Sequence, residues 1–494
     1  MRFLLALILL APTPLLAAET RPAGIADEWD VAYIGPVKVG TLHTIVDRRD
    51  AGGQMIVHVR QSVDLSIKRF SDRMKLSMKT DSYELPDGQL YAFDMVTQMA
   101  TQAQRTQGRL GDGGDQFQLT IQTPGKNETV SIPWSKEVLG PYAPQRLLAE
   151  NPLEPGEELS FKTFLPELNA VTTTTLKAKR REETTMLDGS KQELLLIEAT
   201  QDKVPATMTM WVNDKGQALK TTMPMGGLAL TVYRVSRAEA LETPTTGDVD
   251  LGYETLVKLD KKVQRAHDTK SITYRLLGDD ADTLTSIPET DAQKVLGRDE
   301  KSVRLKVSRQ VPPKDQRTID DSVATEYLEA NAFIQSDNPE IARIAKDLVG
   351  NQPDPWKKVT RLEEWVDKNM TNVAFNIGFA TAAEVIQTRN GDCTEHAVLL
   401  AALCRAVGVP ARVAMGLVYL ERTHVLGYHM WTEVNIGGKW YAVDGTLGRG
   451  GIGGGHIKLA DGSLKGSSAM QTFMPIFNVI GKLKVQIEDV EQVQ

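Results

Sequence analysis

A change of hydrophobic period divides this chain. From about residue 27 to 236, short runs rich in Val, Thr, Ile and Leu alternate with turn signals; from about residue 320, apolar residues recur at helical spacing. A period of two places side chains on opposite faces of a strand, and a period of 3.6 gathers them on one face of a helix, so the two parts need different architectures. In the first part "LPDGQL", "LDGS" and "VNDKGQ" put Asp-Gly or Asp-Lys-Gly between extended runs, as hairpins do. "ATMTMWV" and "ALKTTMPM" flank one such turn. The expectation is a large antiparallel β domain, a curved sheet or half-barrel, with a few helical stretches such as "APQRLLAE". Its chemistry is opaque: it has no cysteine and only two histidines, His43 and His58, each expected to be a structural or surface group.

Residues 239–252 are polar and turn-rich and read as a linker. "KSITYRLL" and "KSVRLKVSR" then read as two more strands, a small β unit or an extension of the next domain, before a boundary at "QVPPKDQRTIDD". The expected division is 1–18 leader, 19–238 β domain, 239–252 linker, 253–316 small β unit, and 317–494 C-terminal domain.

In the last of these, Asn338-Pro339 opens a helix, with Asn as cap and Pro at the first helical position. Ile341, Ile344, Ala345 and Leu348 follow on one face, and Gly350 ends it. Asp354-Pro355 repeats the start, with Val359, Leu362 and Val366 on one face. A third helix begins at Cys393, capped by Asp392, with Ala397, Leu400, Ala401 and Cys404 as its apolar face and Gly408 closing it. "ARVAMGLVYL", "YHMWTEVNI" and "KWYAVD" follow as strands, the last two joined by Gly437-Gly438. There is no internal repeat.

Residues 1–18 have the layout of a secretory leader: basic Met1-Arg2, an apolar run over 3–10, then small residues, with cleavage expected near Ala17 or Ala18. The run is shorter than the ~20 apolar residues a span needs, and Pro12 and Pro14 interrupt it. No cysteine lies near the cut, which argues against lipid attachment, and no other run approaches spanning length, so a soluble mature chain in the periplasm or outside the cell is expected. The net charge of −7 is modest for 494 residues. The basic cluster Lys177, Lys179, Arg180 and Arg181 is followed at once by Glu182 and Glu183, which reads as a solvated strand face and not a nucleic-acid patch.

The only two cysteines, Cys393 and Cys404, share one helix. Eleven residues of helix separate them by about 16 Å along the axis, and disulfide Cα atoms lie no more than ~7 Å apart. Both should be free thiols. Cys393 sits where unpaired N–H groups and the helix dipole favour negative charge, the setting of a reactive thiolate. Cys404, three turns deeper on an apolar face, reads as core. A reactive thiol needs a base and a group to orient it. His429 begins one strand and Asp444 ends the next, so pairing through Gly437-Gly438 brings them near each other. Taken singly, a helical cysteine is usually packing, and a histidine or aspartate at a strand end is usually surface. Their order and placement together point to chemistry.

"GDCTEHAVLLAALCRAVGVPARVAMG", then "YHMWTEV", then "KWYAVDGT", resembles the transglutaminase-like superfamily of papain-fold cysteine enzymes, over roughly residues 320–494. The resemblance rests on a Gly-x-Cys helix start, a Gly-Val-Pro-Ala-Arg strand entry, His-x-Trp-x-Glu-Val, and Trp-x-x-x-Asp-x-Thr. It implies an α+β fold: a C-terminal papain-like, transglutaminase-like domain of helices packed on an antiparallel sheet, preceded by the large antiparallel β domain. It also implies Cys393 as nucleophile, His429 as base and Asp444 as orienting carboxylate. Gly445 departs from the family, which usually has Pro there. The Cys393 N–H should supply one oxyanion donor; Trp356, Asn376 and Gln387 are each able to supply a second. Glu395 and His396 either shape the site or pack the helix. A zinc site built from His396, His424 and His456 is the weaker idea, since no HExxH or paired-cysteine spacing accompanies it. "GRGGIGGGHIKL" lacks the ending of a phosphate loop and reads as a flexible rim of the cleft, and 479–490 as a terminal strand after a short helix, "SAMQTFMPIFNVIG".

Two functions of different class follow. One is an exported thiol enzyme acting on amide bonds of peptide or protein substrates through a thioester, with hydrolysis expected ahead of transamidation and no metal or organic cofactor implied. The other is a non-catalytic cell-envelope binding or assembly protein, in which the β domain recognises the ligand and the C-terminal domain is scaffold.

Overall fold

The computed structural model describes residues 25–493 apart from 51, 71, 100–102, 226–227, 243–248, 279–283, 285–286, 313–322, 372–373, 376–377, 467–478 and 480. The leader, Asn376, most of the "QVPPKDQRTIDD" boundary and most of the "SAMQTFMPIFNVIG" segment therefore lie outside the described residues. Strand dominates, at 52% against 18% helix, and the longer helices lie in the C-terminal part, with Ala143–Glu150 the helix that interrupts the large sheet.

The strands between Ala26 and Val235 form one 15-stranded sheet. From Ala26–Ile34 it runs strand by strand out to Lys126–Pro133; from Leu228–Val235 it runs back to the short Val138–Leu139 at the other edge. Ala26–Ile34 against Leu228–Val235 joins the halves. Every pair is antiparallel except Val138–Leu139 on Glu158–Leu165. Such a meander needs only tight turns, which is what the Asp-Gly signals supply. The sheet curls until its ends meet: Phe93 and Phe117 from one end share a core with Val138 and Phe164 from the other. His43 stacks on Trp29 at 3.8 Å and bonds Asp27, and His58 is buried against Asp81, so both are ladder groups. Each cation of the basic cluster meets a carboxylate, Lys177 with Glu158, Lys179 with Glu198, Arg180 with Glu182 and Arg181 with Asp214.

A second sheet of four strands takes three from the middle of the chain and one from its end, in the order Gln293–Arg298, Ser302–Ser308, Thr269–Gly278, Leu483–Gln492. The terminal strand therefore closes the small β unit. The third sheet orders Val257–Lys258, Val425–Ile436, Ala411–Leu420 and His456–Gly462, with Lys439–Val443 also on Val425–Ile436. Gly437 and Gly438, both at positive φ (60° and 80°), make the two-residue turn that links Val425–Ile436 to Lys439–Val443.

Helices Pro339–Val349, Pro355–Asn369 and Cys393–Ala406 lie where their caps and periodicities place them, and a two-turn helix, Ala382–Thr388, precedes the last. The sequence reading gave Cys393–Ala406 one apolar face, but it is buried on all sides, from Thr394 to Arg405. The other helices and the third sheet enclose it in a single core that includes Ile341, Leu362, Val385, Leu400, Val413 and Val434. Burying Arg405 is made tolerable by its bonds to the carbonyls of Ala411, Glu329 and Ser463. Among the described residues no helix is long and apolar enough to cross a membrane.

The large sheet meets the C-terminal part through the ends of its hairpins. Thr123 Oγ1 donates to Ala332 O (2.9 Å), Glu128 accepts from the N–H of Ala332 and of Gly466 (2.8 and 2.7 Å), and Asp72 accepts from Phe375 N (2.8 Å).

Candidate active site

Cys393 is the first residue of its helix and Asp392 is the N-cap. Asp392 Oδ1 accepts from Thr394 N at 2.9 Å, and Glu395 Oε2 accepts from Asp392 N at 2.9 Å, a reciprocal capping box written in the sequence as Asp-x-x-Glu. Glu395 can fold back only because Gly391 precedes the cap: φ there is +149°, and a Cβ would lie 2.4 Å from Glu395 Cβ. Glu395 Oε1 also accepts from Ala380 N (3.0 Å), so this fully buried carboxyl ties the preceding loop to the helix start. Burial, then the charge of Asp392, pushes the Glu395 carboxyl well above its ordinary range. Glu395 is thus a packing group of the helix start. His396 is likewise tied to its own turn, by Nδ1 to Asp392 O at 2.6 Å. Both thiols are free; Cys393 is half-buried and Cys404 buried.

His429 lies in Val425–Ile436. Thr432 pairs with Val443, so Asp444, one residue beyond the ladder, stands diagonally across from His429. His429 Nε2 and Asp444 Oδ2 are 2.7 Å apart. Cys393 is close enough to act on the His429 imidazole and favours its charged form. With Nε2 committed to the carboxylate, Nδ1 is the nitrogen left for the sulfur. Burial pushes the His429 imidazole down, but Asp444 and the sulfur outweigh it and hold it well above the usual histidine range. Burial likewise pushes Asp444 up, and the charge of His429 with hydrogen bonds from His429 and His456 hold it well below the usual carboxylate range.

Asp444 is locked on every side. Oδ1 accepts from Thr446 N (2.8 Å) and Thr446 Oγ1 (2.7 Å); Oδ2 accepts from His429 and from His456 Nε2 (3.1 Å). That fills the four acceptor sites of a carboxylate and accounts for the threonine of "VDGT". Its own N–H donates to the buried Glu363 Oε1 at 3.0 Å. Gly445 also has a packing reason, since a Cβ there would sit 2.9 Å from Val366 Cγ1.

The sequence does not link His456 or Glu363 to Asp444. Nothing local marks either: one opens a strand beyond the Gly-rich loop, the other lies within a helix. Burial foremost, with the positive charge of His267 and His429 adding to it, pushes His456 down to about 4, so it is neutral at pH 7 and its Nε2–H faces Asp444. Its place on Asp444 takes it away from the zinc trio: His396 bonds Asp392 O and His424 meets Tyr419 Oη (2.9 Å). Among the described residues the donor atoms that do converge, within 4.8 Å, belong to His429, Asp444 and His456, and they are hydrogen-bonded to one another.

Two further expectations change. The Gly-rich segment is not a flexible rim; residues 451–457 are buried, and Gly450 N donates to Glu363 Oε2 (2.8 Å) and Gly454 N to Thr269 Oγ1 (2.9 Å). It is glycine-rich because it threads against backbone: a Cβ at Gly453 would meet His267 O at 2.6 Å. Of the proposed second oxyanion donors, Trp356 packs its ring against Tyr441 and Gln387 is exposed on its helix, so neither is assigned. Glu433 of the "HMWTEV" strand is not at the sulfur. It belongs to a buried ion network with Lys458 (2.7 Å) and Arg412 (2.8 Å), both of which also reach Asp461, and the network pins three strands together.

The model of the Transglutaminase-like superfamily matches residues 342–445, which include Cys393, His429 and Asp444. An uncharacterized protein of Haemophilus influenzae is 30% identical over 123 residues, 24% of this chain and 32% of that protein. The chain thus spans about a third of the length of this relative. Among solved structures, a cysteine protease candidate from Cytophaga hutchinsonii gives a TM-score of 0.31 at 19% identity, covering 45% of this chain and 89% of its own. The β-barrel-like DUF1849 protein from Brucella abortus gives 0.30 at 14%, covering 42% and 96%. The periplasmic domain of TgpA from Pseudomonas aeruginosa gives 0.26 at 17%, covering 38% and 77%. Residues 342–445 of this chain form a domain of the transglutaminase-like superfamily.

Proposed function

We propose that this chain is an exported thiol enzyme that cleaves amide bonds of peptides or proteins, with Cys393 as nucleophile, His429 as acid and base, and Asp444 as the group that orients the imidazole. One observation carries the reading: His429 is hydrogen-bonded to Asp444 at 2.7 Å, and the Cys393 sulfur is close enough to favour the charged form of the same imidazole. The raised imidazole and the helix N-terminus both support a thiolate–imidazolium pair. The sulfur attacks the amide carbonyl carbon, and the developing oxyanion meets the Cys393 N–H at the helix start. His429 gives its proton to the departing amine nitrogen as the C–N bond breaks, leaving a thioester. Water then attacks; His429 takes its proton, the C–S bond breaks, and acid and thiolate are released. An amine in place of water would give transamidation, and we assign water because the superfamily resemblance in a bacterial-type exported chain points to hydrolysis first. A papain-like packing of the nucleophile helix on the antiparallel strands belongs to the same proposal. The leader-like layout of residues 1–18 supports export to the periplasm or beyond. Peptide-library profiling of the mature protein, with and without a free amine, tests it: cleavage that disappears in Cys393→Ala supports the enzyme. Cleavage unchanged in that variant, or none in either, removes it, and amine incorporation without cleavage transfers the assignment to transamidation.

A further inference from the structure

The candidate site contains a charge that does not come from the transglutaminase-like domain. Arg69, at the end of the strand Met55–Arg69 in the large sheet, places NH1 at 2.6 Å from Asp392 Oδ2, across 323 residues of chain. Asp392 is 3% exposed and caps the helix whose first residue is Cys393. Its Oδ1 is committed to the helix, so Arg69 takes the oxygen that the cap leaves over. The guanidinium is held in turn: it lies over the Phe375 ring at 5.5 Å, and Phe375 N is bonded to Asp72 of the next strand. Phe70 packs on the same ring at 4.8 Å.

The groups around the sulfur explain why a cation is needed there. Asp392 and Glu395 belong to the first turn, His396 is bonded back to Asp392, and His429 and Asp444 arrive from the strands. Two buried carboxyls beside the nucleophile oppose a thiolate by like-charge repulsion. Glu395 relieves this by favouring its neutral form, with both oxygens still accepting N–H bonds. The carboxylate of Asp392 is paired with Arg69, and removing one member of a buried pair leaves an uncompensated charge.

Resting on the thiol-enzyme reading above, we propose that Arg69 is a positioning residue for Cys393: the N-terminal sheet contributes it to the site, where it neutralises and orients the Asp392 cap so that the sulfur can ionise. The large sheet is then part of the active site and not only a neighbouring module.

The test uses the full-length protein and follows iodoacetamide alkylation of Cys393 by mass spectrometry between pH 5 and 9. Arg69→Met keeps an apolar stem without the charge. It should slow alkylation at pH 6 by about tenfold, the effect of one pH unit in thiolate population, and move the pH–rate profile to higher pH. Arg69→Lys should restore most of the rate at pH 6. Lys126→Ala removes another ion pair of the same interface, with Asp337, and should keep the wild-type profile. Arg69→Gln is the second neutral variant should the Met variant not fold. A folded neutral variant with the wild-type profile would overturn the proposal, and so would an equal displacement in Lys126→Ala, which would mean general loosening. Wild-type protein in which Cys393 reacts no faster than Cys404 would instead sink the thiol-enzyme reading, so the two failures are distinguishable.

Discussion

His456 Nε2 lies 3.1 Å from Asp444 Oδ2, the same oxygen that receives His429 at 2.7 Å. One carboxylate oxygen therefore couples the candidate base to a second, neutral imidazole buried behind it. Asp444→Asn would present an N–H or a weaker acceptor to His429 and release the preferred tautomer, and kcat should fall by about 10³–10⁴-fold. His456→Phe keeps the ring volume but removes the donor. It should lower kcat by about tenfold with KM little changed, since it loosens an orienting group and touches no substrate. Steady-state kinetics on one cleaved peptide checks both.

The two thiols should separate cleanly. Cys393→Ala should remove activity by about 10⁴-fold or more while leaving the fold intact. Cys404 is completely buried in the helical core, and burial pushes its thiol far up. Cys404→Ser should leave kcat near wild type but cost about 1–3 kcal/mol of stability, because a hydroxyl placed there lacks a partner. Activity assays paired with denaturant unfolding read the two effects.

Glu363 makes stability depend on pH. Burial foremost raises its carboxyl from the ordinary 4.5 to about 7, although the N–H groups of Asp444 and Gly450 pull the other way. Between those two values the folded chain keeps a proton that the unfolded chain releases, so this contribution is full below 4.5 and is lost as pH rises toward 7 and beyond. Its size is roughly 3 kcal/mol. The melting temperature of wild type minus that of Glu363→Gln should accordingly be larger at pH 5 than at pH 8. A constant difference would show that Glu363 does not titrate in this range.

Glu433 should matter for stability and not for chemistry. Glu433→Gln leaves the buried Lys458 and the adjoining Arg412 with Asp461 as their shared carboxylate. Loss of about 3–5 kcal/mol is expected, as for one member of a buried ion pair. At a temperature where the variant remains folded, kcat/KM should lie within a few-fold of wild type. A collapse of kcat/KM in the folded variant would instead place Glu433 in the reaction.

Local sequence determined a good deal of this protein. Asn338-Pro339, Asp354-Pro355 and Asp392 mark helix starts because caps satisfy orphan N–H groups within a few residues. Asp-Gly and Gly-Gly turns mark hairpins because few residues adopt positive φ. Cys393 and Asp444 could be read because each lies at the end of an element whose start or stop is written locally, and His429, inside Val425–Ile436, because the Gly437-Gly438 turn sets that strand against Lys439–Val443. Long-range closeness leaves no such mark. Ala382–Thr388 was too short for its period to show, and the full burial of Cys393–Ala406 depends on what surrounds it. The pairing of Leu483–Gln492 with Thr269–Gly278, the threading of Gly450 to Gly455 against buried backbone, and the arrival of Arg69, Glu363 and His456 around the site join residues tens to hundreds apart. Only the packed chain brings those groups within hydrogen-bond distance, because desolvation and charge act through space and not along the sequence.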